Sequence, residues 1–399
     1  MSDLLTVEAA ERLISEALTP FPGETISLEH AAGRILSQPV RAERSLPPYD
    51  RVILDGIAVR WQAGATGYRL AGTQPAGQPP LSLGSDHTAA IAVMTGSALP
   101  EGADTVIPRE DFTIRDDSIT LLPNGTAKRN QHIHPEGADC AAGTLLLDAG
   151  TRLTPPEMAI LAANGVAHPF VSVIPSIAII STGDELVAPD APVQSWQIRR
   201  SNEYALSASL ARAGLTRQAL YVVPDDLTVL TDSLATLLHQ HDVLVLSGGV
   251  SMGQFDFVPQ ALAVLGVKCL FHKVAQRPGK PFWFGLSAKD QPVFALPGNP
   301  VSALACCSRH VIPALLRAQG LDHSPLSVRL AAPLSPLSTM TRFIPVRLVH
   351  DRQGVTLATP HPMPTSGDFN RLGLTNGLIS LRPGDTPLPP DTVVPFYEW

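Results

Sequence analysis

The stretch 177–185, IAIISTGDE, decides the fold. Five residues rich in β-branched aliphatics, Ile177–Ser181, run straight into a loop of hydroxyl, glycine and carboxylate. A short apolar run bounded by a turn signal predicts a strand buried on both faces. Outward from it, strand and helix signals alternate. Asn202–Ala213 predicts a helix ended by Gly214, and Gln218–Val223 a strand. A helix over Asp226–Gln240, with Asp225 as its cap, leads to a strand over Asp242–Leu246. Phe257–Leu265 predicts a helix closed by Gly266, and Val267–Val274, Pro281–Leu286 and Gln291–Leu296 predict strands. Pro300–Ala318 is the closing helix. Apolar strands alternating with helices predict a doubly wound, mostly parallel sheet covered on both faces.

Ligands of such sheets bind beyond the carboxyl ends of the strands. The loops there are Thr182-Gly183-Asp184-Glu185, Pro224-Asp225-Asp226, Ser247-Gly248-Gly249-Val250-Ser251 followed by Asp256, Arg277-Pro278-Gly279-Lys280, and Pro297-Gly298-Asn299-Pro300 with Ser302 one turn on. The glycines permit positive φ, so that several backbone N–H groups can face one anion. Asn299 as cap and Pro300 at the first helical position fit a helix start. Arg277 and Lys280 supply two cations on a stiff loop. The carboxylates Asp184, Glu185, Asp225, Asp226 and Asp256 would repel phosphate unless a divalent cation mediates, and oxygen-rich sites of this kind suit Mg2+.

The flanks have another texture. Residues 4–19 read as an amphipathic helix on Leu4, Val7, Ala10, Leu13, Ile14 and Leu18, and Leu28–Leu36 as a short helix after Ser27. Short apolar runs between Gly and Pro clusters predict a β-rich piece before a helix over 155–164, and β-structure returns after Pro325 as a small barrel. The expected division is 1–44 plus 141–172 as a helical N-terminal and linker domain, 45–140 as an inserted β-rich domain, 173–320 as the α/β domain, and 321–399 as a C-terminal β-domain.

Composition limits the partners. The 399 residues carry 29 Lys and Arg against 36 Asp and Glu, a formal charge of −7. That balance and the lack of a basic stripe argue against nucleic acid, so an anion site must be local. Of the five lysines, Lys268, Lys273, Lys280 and Lys289 fall in the α/β domain, and Lys128 does not. The four cysteines have no zinc spacing and read as buried thiols of a reducing compartment. No apolar run is long enough to span a membrane, and the first residues lack a basic, then apolar, leader; the expectation is a cytoplasmic protein.

ISTGDEL, LSGGVSMG with Asp256, PGKP and LPGNPVSA, in this order, resemble the molybdopterin-binding domain of the molybdopterin molybdenumtransferase family, which includes bacterial MoeA and the C-terminal domain of gephyrin. The likeness extends over nearly the whole chain. LDGIAVR at 54–60, VMTGSALPEGADTVIP at 93–108, GTRLTPPEMAILAANGV at 150–166 and Thr365-Ser366-Gly367 also match family stretches. The resemblance implies a multidomain α/β protein with a central doubly wound MoaB/MogA-like molybdopterin-binding domain, an inserted β-rich domain and a C-terminal β-barrel. It implies insertion of molybdenum from molybdate into adenylylated molybdopterin, with release of AMP and a requirement for Mg2+. It places Asp55, Thr95, Glu185, Asp225 or Asp226, Asp256 and Lys280 in the active site, and matches Arg342 to a family arginine. It further implies a homodimer whose cleft is shared between subunits, with contacts to molybdopterin adenylyltransferase or apo-molybdoenzymes. The chain departs from the family at Arg51–Leu54, at His132–Glu136, at Arg277 and at Arg200, where an aspartate is usual. These departures keep open a non-catalytic paralogue that binds molybdopterin or a partner protein; a molybdopterin adenylyltransferase, which shares the α/β domain, is the other alternative. His132 and His134 read as solvated side chains rather than metal ligands.

Overall fold

The computed structural model describes residues 4–123, 127–250, 256–361 and 370–399. They form two compact units. One comprises 39–148 and 155–167, the other 1–38, 149–154 and 168–399.

The smaller unit is built on a six-stranded sheet. Its strands are β1 (Gly56–Val59), β2 (Gly67–Gln74), β3 (Ala89–Val93), β4 (Thr105–Pro108), β5 (Phe112–Arg115) and β6 (Ser118–Leu121), in the order β4-β1-β3-β2-β6-β5. Alternation assigns the faces: Ala58, Ile91, Val93 and Val106 fill one core, and Ile57, Val59, Ala90 and Ile107 fill the other. β1, β3 and β4 are therefore buried on both faces, which explains their short apolar runs, while β2, β5 and β6 alternate buried with exposed residues. The helix Pro155–Ala163 belongs to this unit.

The larger unit holds the α/β sheet: β7 (Ile177–Thr182), β8 (Gln218–Val223), β9 (Val243–Ser247), β10 (Lys268–His272), β11 (Trp283–Leu286) and β12 (Pro292–Leu296), in the order β8-β7-β9-β12-β11-β10. The first four in that order are parallel; β11 runs antiparallel to β12, and β10 antiparallel to β11. Ile177, Ile179, Val243, Val245 and Phe294 pack one face, and Ala178, Ile180, Leu244, Leu246 and Val293 pack the other. The C-terminal strands are β13 (Leu326–Leu330), β14 (Thr341–His350), β15 (Thr356–Pro360), β16 (Gly377–Leu381) and β17 (Val393–Glu398). Pairing runs β14-β15-β13-β17-β16 and returns to β14, closing a five-stranded barrel around Leu330, Val346, Ile379 and Phe396. Closure leaves no free sheet edge.

Several expectations need correction. The helix after Ser27 is only a 3-10 turn, Leu28–His30, because Gly33 takes φ +80° and Ile35 enters a bridge with Arg152. The closing helix is not continuous α: Pro300–Cys306 and Ile312–Ala318 flank a π turn at Cys307–Val311. Pro313 cannot donate a backbone hydrogen bond, and a wider turn absorbs the break. The cap of helix Leu227–Gln240 is Asp226, not Asp225; its carboxylate accepts from Thr228 N and Val229 N, both at 2.9 Å. Among the cysteines, Cys306 and Cys307 are buried, but Cys140 is half-buried and Cys269 exposed.

The helix Val7–Ala17, capped by the Thr6 hydroxyl, lays Val7, Ala10 and Ile14 into the α/β core. Its Glu11 bridges two arginines of the closing helix, accepting from Arg309 and Arg317 at 2.8 Å each. The Arg309 guanidinium lies 4.8 Å over the ring of Tyr397 in β17. Burial alone would raise the Glu11 pKa, but the two guanidiniums outweigh it and hold the carboxyl below its ordinary 4.5. A depressed carboxyl stabilises the fold above the unfolded-state pKa, and the gain disappears as pH falls through the folded value. Glu11→Gln should therefore cost about 2 kcal/mol at pH 7, less than the ~3–5 of a fully buried broken pair. The gap between wild type and variant in thermal midpoint should close as pH falls through the depressed Glu11 value; a gap independent of pH would rule out the ionic origin.

Candidate functional site

Three parallel strands end together. Ser181 of β7 faces Ser247 of β9, which faces Leu296 of β12. Their loops consequently start at one level and enclose a cleft of about 700 Å³. Thr182, Ser247, Gly248 and Gly249 line it from the first two loops, and Pro297, Gly298, Asn299 and Pro300 from the third. Gly248 has φ +105°, and a Cβ there would stand 2.6 Å from the Thr182 carbonyl oxygen, so only glycine lets β7 and β9 approach this closely. Asn299 sits at the N-cap position of its helix but makes no capping hydrogen bond with its side chain. Ser251 lies outside the described residues, as do Thr365, Ser366 and Gly367.

The five carboxylates expected around a cation separate. Glu185, Asp225 and Asp256 line the cleft; Asp184 and Asp226 do not. Asp184 accepts from Asp225 N at 3.1 Å, and Asp226 is committed to its helix. Asp225 accepts the Thr182 hydroxyl proton. Gly183, also expected to contact substrate, is not in the cleft wall. Among the described residues, no three His, Cys, Asp or Glu side chains gather closely enough to form a metal cage. His134 is held between Asp139 at 2.9 Å and Arg51 at 3.1 Å.

A second cavity of about 710 Å³ adjoins the cleft along Pro281, Pro297 and Asn299. Arg277, Lys280 and Arg342 line it, with Gly279 and Ser302, and no carboxylate does. Arg277 pairs directly with Arg342 because the strand Gln276–Arg277 runs parallel to the start of β14. The barrel thus brings its cation to the α/β loop. A cleft where Glu185, Glu203, Asp225 and Asp256 outnumber Arg199 and Arg200, and a cavity whose charged residues are all cationic, lie side by side.

Three contributors were missed in the sequence. Asn202, read there only as a helix start, donates to Ser247 Oγ at 2.7 Å and to the Gly298 carbonyl at 2.8 Å, tying two loops together. Glu203 is buried at the cleft; it accepts from Ser181 Oγ at 2.9 Å and faces Arg200 Nε at 3.3 Å. A carboxylate in the first turn of an amphipathic helix ordinarily marks a solvent face, so its local sequence gave no sign of burial. Gln276 is the third, and lies under the cation loop.

Asp55 and Thr95 belong to the smaller unit. Gly56 of β1 pairs with Val93 of β3, so the residue before one strand lies beside the turn that follows the other. Asp55 accepts from Thr95 N at 2.7 Å and from the Thr95 hydroxyl at 2.8 Å. These bonds hold the exposed Asp55 carboxyl below its ordinary value, the backbone bond first and the hydroxyl second.

A cleft at the ends of parallel strands, a cavity with cationic side chains beside it and a closed barrel define a multidomain α/β protein. Comparison with known proteins makes the class specific. Residues 5–165 match the family profile "MoeA N-terminal region (domain I and II)", 178–317 match "Probable molybdopterin binding domain", and 327–399 match "MoeA C-terminal region (domain IV)". Molybdopterin molybdenumtransferase of Synechocystis sp. is 35% identical over 400 residues, covering 99% of this chain and 100% of the relative. Molybdopterin molybdenumtransferase 2 of Mycobacterium tuberculosis is 33% identical over 94% of this chain and 95% of its own. The crystal structure of the molybdopterin biosynthesis MoeA protein from Pyrococcus horikosii superposes with a TM-score of 0.83 at 28% identity, covering 99% of each chain. The chain belongs to the molybdopterin molybdenumtransferase (MoeA) family.

Replacing Thr95 by Val removes the hydroxyl donor and keeps the backbone one. The Asp55 titration followed by carboxyl NMR should move up toward the ordinary carboxylate range; an unmoved titration would mean that the hydroxyl contributes nothing.

Proposed function

We propose that this protein is a molybdopterin molybdenumtransferase, inserting molybdenum from molybdate into adenylylated molybdopterin with release of AMP, late in molybdenum-cofactor biosynthesis. The observation that carries the reading is the pairing of two unlike compartments. The cavity of Arg277, Lys280 and Arg342 has the charge for a bare oxyanion such as molybdate. The adjoining cleft has glycine-rich loops for a phosphorylated pterin and carboxylates for a phosphate-bound cation. A non-catalytic scaffold or an adenylyltransferase is not favoured: the relatives matched end to end carry the molybdenumtransferase name.

The donor set fits Mg2+ in a particular way. Glu185, Asp225 and Asp256 line the cleft without forming a protein cage, and Mg2+ commonly takes one or two carboxylates with substrate phosphates and water. Bound there, it would neutralise phosphate charge at the anhydride that releases AMP. The chain's own residues do the rest. Lys280, Arg277 and Arg342 bind and orient the oxyanion, and Ser302 offers a hydroxyl to the same cavity. Thr182, Ser247 and the glycine backbone, with Gly298 and Asn299, position the pterin phosphate. Asp55, kept ionised by Thr95, serves as an oriented carboxylate for a water or a ligand of the incoming metal. We further infer a cytoplasmic homodimer in which Asp55 and Thr95 serve the cleft of the partner subunit. It would take its substrate from a molybdopterin adenylyltransferase and pass its product to apo-molybdoenzymes.

Purified protein incubated with adenylylated molybdopterin, Mg2+ and molybdate should release AMP, and omission of molybdate should abolish the release. Lys280→Ala should lower the rate by about 100-fold, the scale of losing one preorganised charge stabiliser. Asp256→Ala should lose AMP release with its thermal midpoint retained. AMP release indifferent to molybdate would overturn the assignment, and unchanged turnover in Asp256→Ala would remove that residue from the mechanism.

A further inference from the structure

A buried polar pair lies beneath the cation loop, with Gln276 in the wall of the cationic cavity. Gln276 is fully buried. Its side-chain amide nitrogen donates to the Gly279 carbonyl at 2.9 Å and lies 3.3 Å from Cys306 Sγ. Its amide oxygen lies 2.8 Å from His310 Nε2. The orientation follows from valence rather than from choice. A backbone carbonyl only accepts, so the NH2 of Gln276 must face Gly279 and its oxygen must face His310. His310 Nε2 therefore carries the ring proton. Burial first, and the charge of Arg309 second, push the His310 pKa well below its ordinary value, so the ring is neutral with that single proton. Its Nδ1 has no hydrogen-bond partner among the described residues.

Both partners are held from behind. His310 is carried on the π turn Cys307–Val311, and its ring stacks on Phe282 at 4.9 Å between centroids and 29° between planes. Gly279 has φ +94°, and a Cβ there would meet Cys306 Sγ at 2.6 Å and Gln276 Nε2 at 2.8 Å. The loop backbone thus rests directly on the Gln276 amide. On its far side the Lys280 carbonyl accepts from Val274 N at 2.9 Å. Gln276 also begins the short strand that sets Arg277 beside Arg342.

We propose that Gln276, oriented by His310, is a positioning residue for the oxyanion cavity: its grip on the Gly279 carbonyl fixes the backbone that carries Arg277 and Lys280. The proposal rests on reading that cavity as the molybdate site. A loop that must be ordered at each binding event loses affinity, whereas a preordered one does not. The effect should therefore appear in molybdate affinity rather than in the chemical step.

Two variants separate positioning from mere structure. Gln276→Leu breaks both contacts and strands a buried Nε2–H. It should lower the thermal midpoint and raise the KM for molybdate about tenfold, with kcat at saturating molybdate within about threefold of wild type. Gln276→Leu combined with His310→Leu removes both polar partners, a change that can be nearly neutral for stability. Its thermal midpoint should return toward wild type while the molybdate KM stays raised, because Gly279 still lacks its amide donor and keeps only the weak Cys306 thiol at 3.8 Å. If the single variant fails to fold, the double variant still decides. A KM that recovers together with the midpoint, or one unchanged in both variants, overturns the proposal. Calorimetric titration with molybdate alone distinguishes the two levels of inference. Wild-type protein that binds molybdate but releases no AMP removes the proposed function, and the variants' Kd values then decide the positioning role. Wild-type protein that does not bind molybdate removes both.

Discussion

The site depends on the register of three neighbouring parallel strands. β7, β9 and β12 are aligned so that Ser181, Ser247 and Leu296 stand side by side. Every loop that leaves them starts from the same edge, and the cleft is the space those loops enclose. Slipping one parallel strand by a residue would turn its side chains to the opposite face. Two apolar cores oppose such a slip, because Ile177, Ile179, Val243 and Val245 fill one and Ala178, Ile180, Leu244 and Leu246 fill the other. Hydrophobic packing on both faces thereby sets the geometry of a polar site at the end of the sheet.

Around that edge, polar groups are used to join segments distant in the chain. Asn202 spans from the helix after β7 to the loops after β9 and β12. Arg277 reaches Arg342 only because the barrel strand β14 accepts the short strand 276–277 as a parallel neighbour. Two guanidinium-bearing residues side by side repel, and the arrangement is tolerable where an anion is to be bound between them. On the far side of the unit, Glu11 draws Arg309 and Arg317 toward the N-terminal helix, and Arg309 leans on Tyr397 of the barrel. The closing helix is consequently the element against which the first helix, the sheet and the barrel all register.

The α/β elements were legible because their signals are local. Strand β7 is an uninterrupted apolar run, and Gly214 and Gly266 close their helices as glycine does at a left-handed terminus. The errors were local as well. Asp225 and Asp226 are adjacent and chemically identical, and which one caps depends on a one-residue choice that Thr182, 43 positions away, helps to make by donating its hydroxyl to Asp225. The π turn at Cys307–Val311 could be located only with the packing around Pro313 known. Within the site, the glycine and PGKP loops were readable as motifs. Glu203 and Gln276 were not, since a buried polar residue is recognisable only by its partners, and each has one distant in the chain, 22 residues away for Glu203 and 34 for Gln276.

Sequence by itself determined the class of the molecule: the alternation of buried strands and helices, the ligand-facing loops, and collinear motifs placing Asp55, Lys280 and Asp256 in one family pattern. The first two follow from periodicity and turn stereochemistry, properties of short segments; the placing of Asp55, Lys280 and Asp256 is what the resemblance to the family implies. Tertiary structure alone decided the sorting of charge, with only Arg277, Lys280 and Arg342 charged in one cavity, and Glu185, Asp225 and Asp256 beside Arg199 and Arg200 in the next. It also decided that Asp184 and Asp226 are occupied elsewhere. Charge sorting depends on distances between residues far apart in the chain, and those distances exist only once the strands are in register and the barrel has closed.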